Sequence, residues 1–142
     1  MTRAEIEDLF KRRQQVWLKR DPEALGAFHS EDGLVKSPIF GTVRGRVEIT
    51  KSYANLLKTF EDWTIEATRL LIDDTTVAQS FVAQATHSSE LFGVPATHRR
   101  TEIHGVLFMD LDGEGKIKRE ERFYDFTSML LQLGVIKAKP GM

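Results

Sequence analysis

Past Asp62 the hydrophobic period changes from that of a helix to two, and it stays near two through most of the remaining chain. Trp63 to Ile72 is rich in Thr, Ile and Leu, and Thr75 to His87 alternates apolar with polar residues, so both segments read as strands. Asp73-Asp74 between them marks a hairpin turn. A third strand is predicted from Arg100 to Leu111 and a fourth from Lys116 to Tyr124, joined by the loop Asp112-Gly113-Glu114-Gly115. Four long strands in succession joined by turns predict a meander, and a meander needs something to cover its apolar face.

Three helical segments precede it. Thr2 with Glu5 has the form of a capping box, and Ile6, Leu9, Phe10 and Trp17 repeat at helical spacing to about Arg20. Asp21-Pro22-Glu23 restarts a helix, with Asp21 as cap and Pro22 in the first turn, ending near His29. Glu31-Asp32-Gly33 reads as a turn and Leu34 to Ser37 as a short strand, with Pro38, Gly41 and Gly45 marking a loop. From Val47 onward, Ile49, Tyr53, Leu56, Leu57 and Phe60 fall on one stripe of a third helix. Helices first, long strands second and a short apolar helix last, from Phe126 to Leu133, is an α+β order. It predicts a curved antiparallel sheet wrapped over the N-terminal helices, with an enclosed apolar cavity between them. The expected boundaries are a single domain over residues 1–136 and a tail over residues 137–142.

At 142 residues, with 41% hydrophobic and 29% charged residues, the chain can bury a core without staples. Twenty basic and twenty-one acidic side chains leave a net charge of -1, which gives no field favouring nucleic acid or an anionic membrane. Cys is absent, so disulfides, thiolate metal sites and a cysteine nucleophile are excluded. The first eight residues carry charge where a signal peptide would be apolar, and no run approaches a membrane span, so a cytoplasmic protein is expected.

Chemistry has few places to reside. Asp125 sits where a charged strand meets the apolar run Phe126, Met129, Leu130, Leu131 and Leu133. Two readings of it stand side by side: an N-cap worth about 1 kcal/mol, or a carboxyl group in an apolar pocket that shuttles protons. The histidines His29, His87, His98 and His104 share no metal-ligand spacing. His87 has the strand parity of Val77, Phe81, Ala83 and Ala85, which allows it to face the interior; His104 shares a face with Val106 and Phe108. Trp17, Phe40, Tyr53, Phe60, Trp63, Phe92 and Phe108 are candidates for a pocket lining or for plain core. Lys11-Arg12-Arg13 reads as the wet face of a helix. Elbow, phosphate-loop and dinucleotide motifs are absent.

Taken together, His87 to Arg100, the strand that begins at Gly115-Lys116-Ile117, Tyr124-Asp125 and Leu130-Leu131-Gln132-Leu133-Gly134 resemble the SnoaL-like polyketide cyclase family of the NTF2-like superfamily. Arg20 to Leu25, Phe28 to Asp32, Gly45 and Phe60-Glu61-Asp62 extend the resemblance over nearly the whole chain. It implies a cone-shaped fold with a deep apolar cavity and a homodimer formed through the sheet. It also implies catalysis without cofactor or metal, in which Asp125 is the general acid/base of an aldol-type cyclisation or isomerisation and His87 lies near it. A second pocket histidine of the cyclases falls on Leu107 here, with His104 on the opposite parity.

The expected partner is an apolar, carbonyl-containing small molecule, with no nucleic acid and no membrane. In that mechanism a neighbouring donor, His87, His104 or Tyr53, stabilises the enolate, and His104, Tyr53 and the aromatic residues above contact the substrate. Two alternatives remain. One is a non-catalytic module for lipophilic ligands or for dimerisation. The other is an epoxide hydrolase of the limonene type, which needs an Arg and a second carboxylate on the neighbouring strand, where Phe81 to His87 offers neither.

Overall fold

In a computed structural model that describes residues 1–137, helix α1 (Arg3–Lys19) opens the chain. The Thr2 hydroxyl accepts from the Glu5 N–H and the Glu5 carboxylate accepts from the Thr2 N–H, so the capping box forms as expected. Arg20 ends the helix in the left-handed conformation, and its guanidinium donates to the carbonyls of Leu57, Phe60 and Trp63. One side chain thereby ties the end of the first helix to the carbonyl end of the third.

Helix α2 (Pro22–Gly26) is capped by Asp21, and helix α3 (Arg46–Thr59) buries Ile49, Tyr53 and Leu57 on the stripe its periodicity predicts. Strands β1 (His29–Ser37) and β2 (Gly41–Arg44) form a hairpin before α3, and β3 (Thr64–Asp73), β4 (Thr76–Thr86), β5 (Arg100–Leu111) and β6 (Ile117–Tyr124) form the meander. Helix α4 (Phe126–Leu133) closes the described fold, and residues 138–142 of the expected tail lie outside the described residues. The sheet order is β2-β1-β6-β5-β4-β3, an open, curved, six-stranded sheet with α1 against β3, α3 against β1 and α4 against β5. Among the described residues no helix is long and apolar enough to cross a membrane.

The α+β class and the wrapped sheet hold, but the sheet is mixed where an antiparallel one is expected. Strand β1 runs parallel to β6, because the connection between them passes through β2, α3 and three further strands, ample length to return in the same direction. Strand β1 also starts at His29, through the segment that reads as a turn. Its pairing with β6 shifts register between His29 and Leu34, and Gly33 packs so closely that an added Cβ would lie 3.1 Å from the Ser30 carbonyl and 3.2 Å from that of Ile117. Here glycine marks a bulge, not a strand end. Strand β2 is four residues at the sheet edge, hidden in the sequence by Gly41 at its start and Gly45 just after its end.

Two apolar clusters form the core. One gathers Ile6, Leu9 and Phe10 of α1 against Val77, Phe81, Leu107 and Met109 of the sheet; the other gathers Trp17, Leu25, Val35, Ile49 and Tyr53, and Trp63 and Ile65 pack against both. The seating of Phe81 depends on Gly105 across the strand pair, where a Cβ would fall 2.5 Å from the Phe81 ring and 2.6 Å from the Phe123 carbonyl oxygen. Gly105→Ala should therefore lower stability by about 1–3 kcal/mol, the usual cost of overpacking, as read from the denaturation midpoint at unchanged slope.

Candidate functional site

The concave face of the sheet and the helices leave one apolar cavity between the two clusters. Its walls are Trp17 from α1, Leu56 from α3, Phe60 and Trp63 just after it, and the inward-facing Phe81, Ala85, Ile103 and Leu107 of β4 and β5. Ile39, Phe40, Leu91 and Met129 also line it, drawn from the β1–β2 turn, the loop after β4 and α4. Phe92, which is exposed, packs against Phe40 at 6.0 Å and Phe126 at 6.3 Å between ring centroids.

Into this apolar wall the fold inserts ionic groups. Arg13 lies seven residues after Ile6 and four before Trp17, on the buried stripe of α1, and is itself 2% exposed. Glu120 and Arg122 share the inward parity of β6 with Tyr124, and Glu120 is fully buried. Arg13 Nη2 donates to Glu120 Oε1 at 2.9 Å and Arg122 Nε to Oε2 at 2.6 Å, so one carboxylate is held between two guanidinium groups. All three line the cavity, as does Tyr124. Arg13 Nη2 donates also to the Tyr53 hydroxyl at 3.1 Å, and that hydroxyl lies 2.7 Å from His29 Nε2. Because the phenol oxygen accepts from Arg13, its proton serves His29 Nε2, which leaves the imidazole proton on Nδ1, buried without a partner. Arg13 Nε and Arg122 Nη2 are also without partners.

The environment fixes the charge states. Burial alone would raise the pKa of Glu120, but Arg122 and Arg13 outweigh it and hold the carboxyl down at about 2. Burial opposes the charge on Arg122 as well, yet Glu120 draws its pKa upward, so both arginines remain cations. Burial brings His29 down to about 3 and moves Tyr53 up, so both are neutral. Removing one partner of such a pair leaves an uncompensated buried charge, which typically costs about 3–5 kcal/mol.

The residues singled out from sequence are distributed around this centre. Trp17, Phe40, Phe60 and Trp63 line the cavity; Tyr53 stands behind the wall and bonds to Arg13. Asp125 is exposed and caps α4, its Oδ1 accepting from the Ser128 N–H at 3.0 Å, while Tyr124 and Met129, the neighbour before it and the residue one turn on, line the cavity. His87 is fully buried beyond the end of β4, and its Nδ1 accepts from the Thr97 N–H at 3.2 Å, so its proton sits on Nε2, which has no partner. Leu107 faces the cavity. His104 and Phe108 lie on the other face of the sheet, where His104 pairs with Glu102 at 3.2 Å and Phe108 packs edge-on against Phe123. Among the described residues no cluster of three or more His, Asp and Glu side chains has the arrangement of a metal site.

Arg13, Glu120, Arg122 and His29 are absent from the sequence-derived set. Arg13 carried a usable signal, since it falls on the helical stripe between Phe10 and Trp17, a place where an arginine must be paired. Glu120 lies within a run of six charged residues in seven, Lys116 to Arg122 apart from Ile117 being charged throughout, and parity within such a run shows no contrast.

Acid should unfold this protein through the same groups. Above pH 6.5, the ordinary value for His, neither state binds a proton at His29; below it the unfolded chain does and the folded chain does not until about pH 3. Stability conferred by a neutral His29 is thus full above pH 6.5 and declines as pH falls, and Glu120 adds its own loss between pH 4.5 and about 2. Between neutral pH and about 5, denaturant titrations should show a His29 component approaching about 1.4 kcal/mol per pH unit. In His29→Gln the pH dependence over that interval should be shallower; an unchanged slope assigns it to other groups.

Comparison with known proteins follows this geometry. AclR from Streptomyces galilaeus, named as a hydroxylase candidate, superposes with a TM-score of 0.81 at 24% identity over 95% of this chain and 99% of its own. IdmH from Streptomyces antibioticus, named as a polyketide cyclase candidate, gives 0.76 at 26% identity over 91% and 98%. SalBIII, described as an epoxide hydrolase/cyclase-like enzyme in pyran ring formation in the polyether salinomycin, gives 0.74 at 18% identity over 88% and 94%. No curated protein matches the chain. The architecture is the ketosteroid isomerase-like, or NTF2-like, fold. The family model for SnoaL-like polyketide cyclase matches residues 7–133, which takes in the sheet, the cavity lining and all of the helices except the first turn of α1, and the chain belongs to that family.

Proposed function

We propose that the protein is a small-molecule enzyme that binds an apolar carbonyl compound in this cavity and moves a proton on it, in an aldol-type cyclisation or an isomerisation, without a cofactor. The observation that carries this reading is the Arg13–Glu120–Arg122 centre set into an otherwise apolar wall. Two guanidinium groups beside a substrate carbonyl polarise it and stabilise the enolate that forms when the adjacent carbon loses a proton, an electrostatic contribution that is large where water is excluded. Glu120 is a weak base at its depressed pKa, so its part is to hold the two arginines in place.

The proton acceptor in this proposal is Asp125, the residue the family resemblance assigns. Its Oδ1 is engaged by α4, and it stands between two residues of the cavity lining, Tyr124 and Met129. We extend the proposal to a cytoplasmic homodimer formed through the outer face of the sheet, where the rings of Phe108 and Phe123 meet edge-on at 5.7 Å while about half exposed. That is a contiguous apolar patch of the sort that subunit contacts cover.

A second reading, epoxide opening, gains support from one feature. The carboxylate and arginine missing from Phe81 to His87 are present on β6 as Glu120 and Arg122. Incubation with styrene oxide and product analysis for the diol separates it from carbonyl chemistry.

Two experiments test the proposal. Deuterium exchange at the activated carbon of β-tetralone, followed by NMR, should be accelerated by the protein. Asp125→Asn should lose about 10²–10⁴-fold of that acceleration. If Asp125→Asn loses about 1 kcal/mol of stability and keeps its exchange rate, the residue is a helix cap and the assignment of the base fails. No acceleration by the wild type, together with bound ligand, would point to the non-catalytic module. For the assembly, light scattering should show a dimer that Phe108→Lys combined with Phe123→Glu converts to monomer.

A further inference from the structure

The ionic centre of the cavity is not electrically balanced. Arg13 and Arg122 each ion-pair with Glu120, and neither has a second carboxylate within ion-pair distance among the described residues. The other groups packed around the centre add no negative charge. Tyr53 and His29 are neutral, the Tyr53 ring lies with its centroid 5.5 Å from the Arg122 guanidinium carbon, and a further cation, Arg46, donates through its Nε to the His29 carbonyl. One positive charge is therefore in excess in the wall of an otherwise apolar chamber, where solvent screens it poorly. Among the described residues Arg13 Nε and Arg122 Nη2 have no acceptor, and the Arg122 side chain, on the cavity lining, is 17% exposed. A buried cation with spare donors is stabilised by an anion, and guanidinium groups match planar oxygen pairs.

We infer that the cavity selects apolar ligands bearing a single negative charge on oxygen, as a carboxylate or as the enolate of an acidic β-dicarbonyl or hydroxyquinone, held against Arg13 and Arg122. A neutral ketone of the same shape fills the apolar walls but leaves the excess charge unmatched. A cationic ligand is disfavoured by both arginines. The inference rests on the proposed use of this cavity as the substrate site, and it narrows that substrate from carbonyl compounds in general to acidic ones. A ligand that enters as an enolate carries its charge already on the oxygen that the arginines face, whereas a carboxylate is anchored by them and still gives up its carbon-bound proton to Asp125.

Calorimetric titration of the full chain with matched pairs tests this. The carboxylate arm compares benzoate with benzamide and naphthalene-carboxylate with naphthalene-carboxamide; the enolate arm compares lawsone, an acidic hydroxyquinone, with its methyl ether. In at least one arm the anion should bind about tenfold or more tightly than its neutral partner, and the arm with the larger ratio identifies which oxyanion is preferred. The ratio should fall to about one in Arg122→Met and rise in Glu120→Gln, because the first variant removes the excess charge and the second enlarges it. Circular dichroism establishes that each variant folds, and where one does not, the wild-type ratios and the other variant decide. Neutral partners that bind as tightly as the anions in both arms, or a ratio that is the same in wild type and folded variants, overturn the inference and leave the cavity as a binding site. Failure of all six compounds to bind overturns the use of the cavity itself, and the inference with it.

Discussion

The carboxylate of Glu120 is the point on which three separately formed elements converge. It is fully buried, and its bonds to Arg13 and Arg122 fix the rotation of α1 over the sheet, because Arg13 has to arrive at the cavity wall for the charges to meet. Tyr53 brings α3 into the same network, and His29 brings in the first residue of β1. An apolar contact between these elements would tolerate sliding by a fraction of a turn. A charge-assisted bond of 2.6 to 2.9 Å in a dry interior does not, since the alternative is an unpaired ion.

This arrangement lets one set of groups serve both fold and site. A cavity weakens a small domain, because the lining atoms forgo dispersion contacts and the apolar surface stays unburied. The protein limits that loss by bracing the rim with bonds of high directional demand. Arg20 closes the end of α3, Gly105 lets Phe81 lie against β5, and the ionic centre locks α1 to β6. The price is acid sensitivity, since His29 is neutral and Glu120 ionised only while the folded environment keeps them so.

Asp125 and Glu120 show how far sequence reasoning reaches into the site. Asp125 was visible because it interrupts a pattern, a lone carboxylate ahead of an apolar helix, and the structure places it at that helix start with a cap bond. Glu120 was not visible because Lys118, Arg119, Glu121 and Arg122 surround it with the same chemistry. Its burial comes from the bulge between Ile117 and Arg119, where pairing with β5 shifts register and so sets which side chains of β6 face inward. Among the aromatic candidates, Phe60 and Phe108 carry equivalent signals in the sequence. One lines the cavity and the other lies on the opposite face of the sheet, a difference fixed by sheet curvature and helix placement and not by residue type.

By itself the sequence determined what depends on neighbours along the chain: the capped helices, the stripe of α3, the four strands of the meander with their turns, and the α+β class. These follow from local hydrogen bonding and from periods of two and of about 3.6, which a linear string displays directly. Tertiary structure alone decided the parallel pairing of β1 with β6, the face of the sheet that becomes concave, and the meeting of Arg13, Glu120, Arg122, Tyr53 and His29. Arg13 and Glu120 are 107 residues apart. Arg13 is marked locally only by its place on the apolar stripe of α1 and Glu120 by nothing, and each becomes a buried ion because the other is there to receive it.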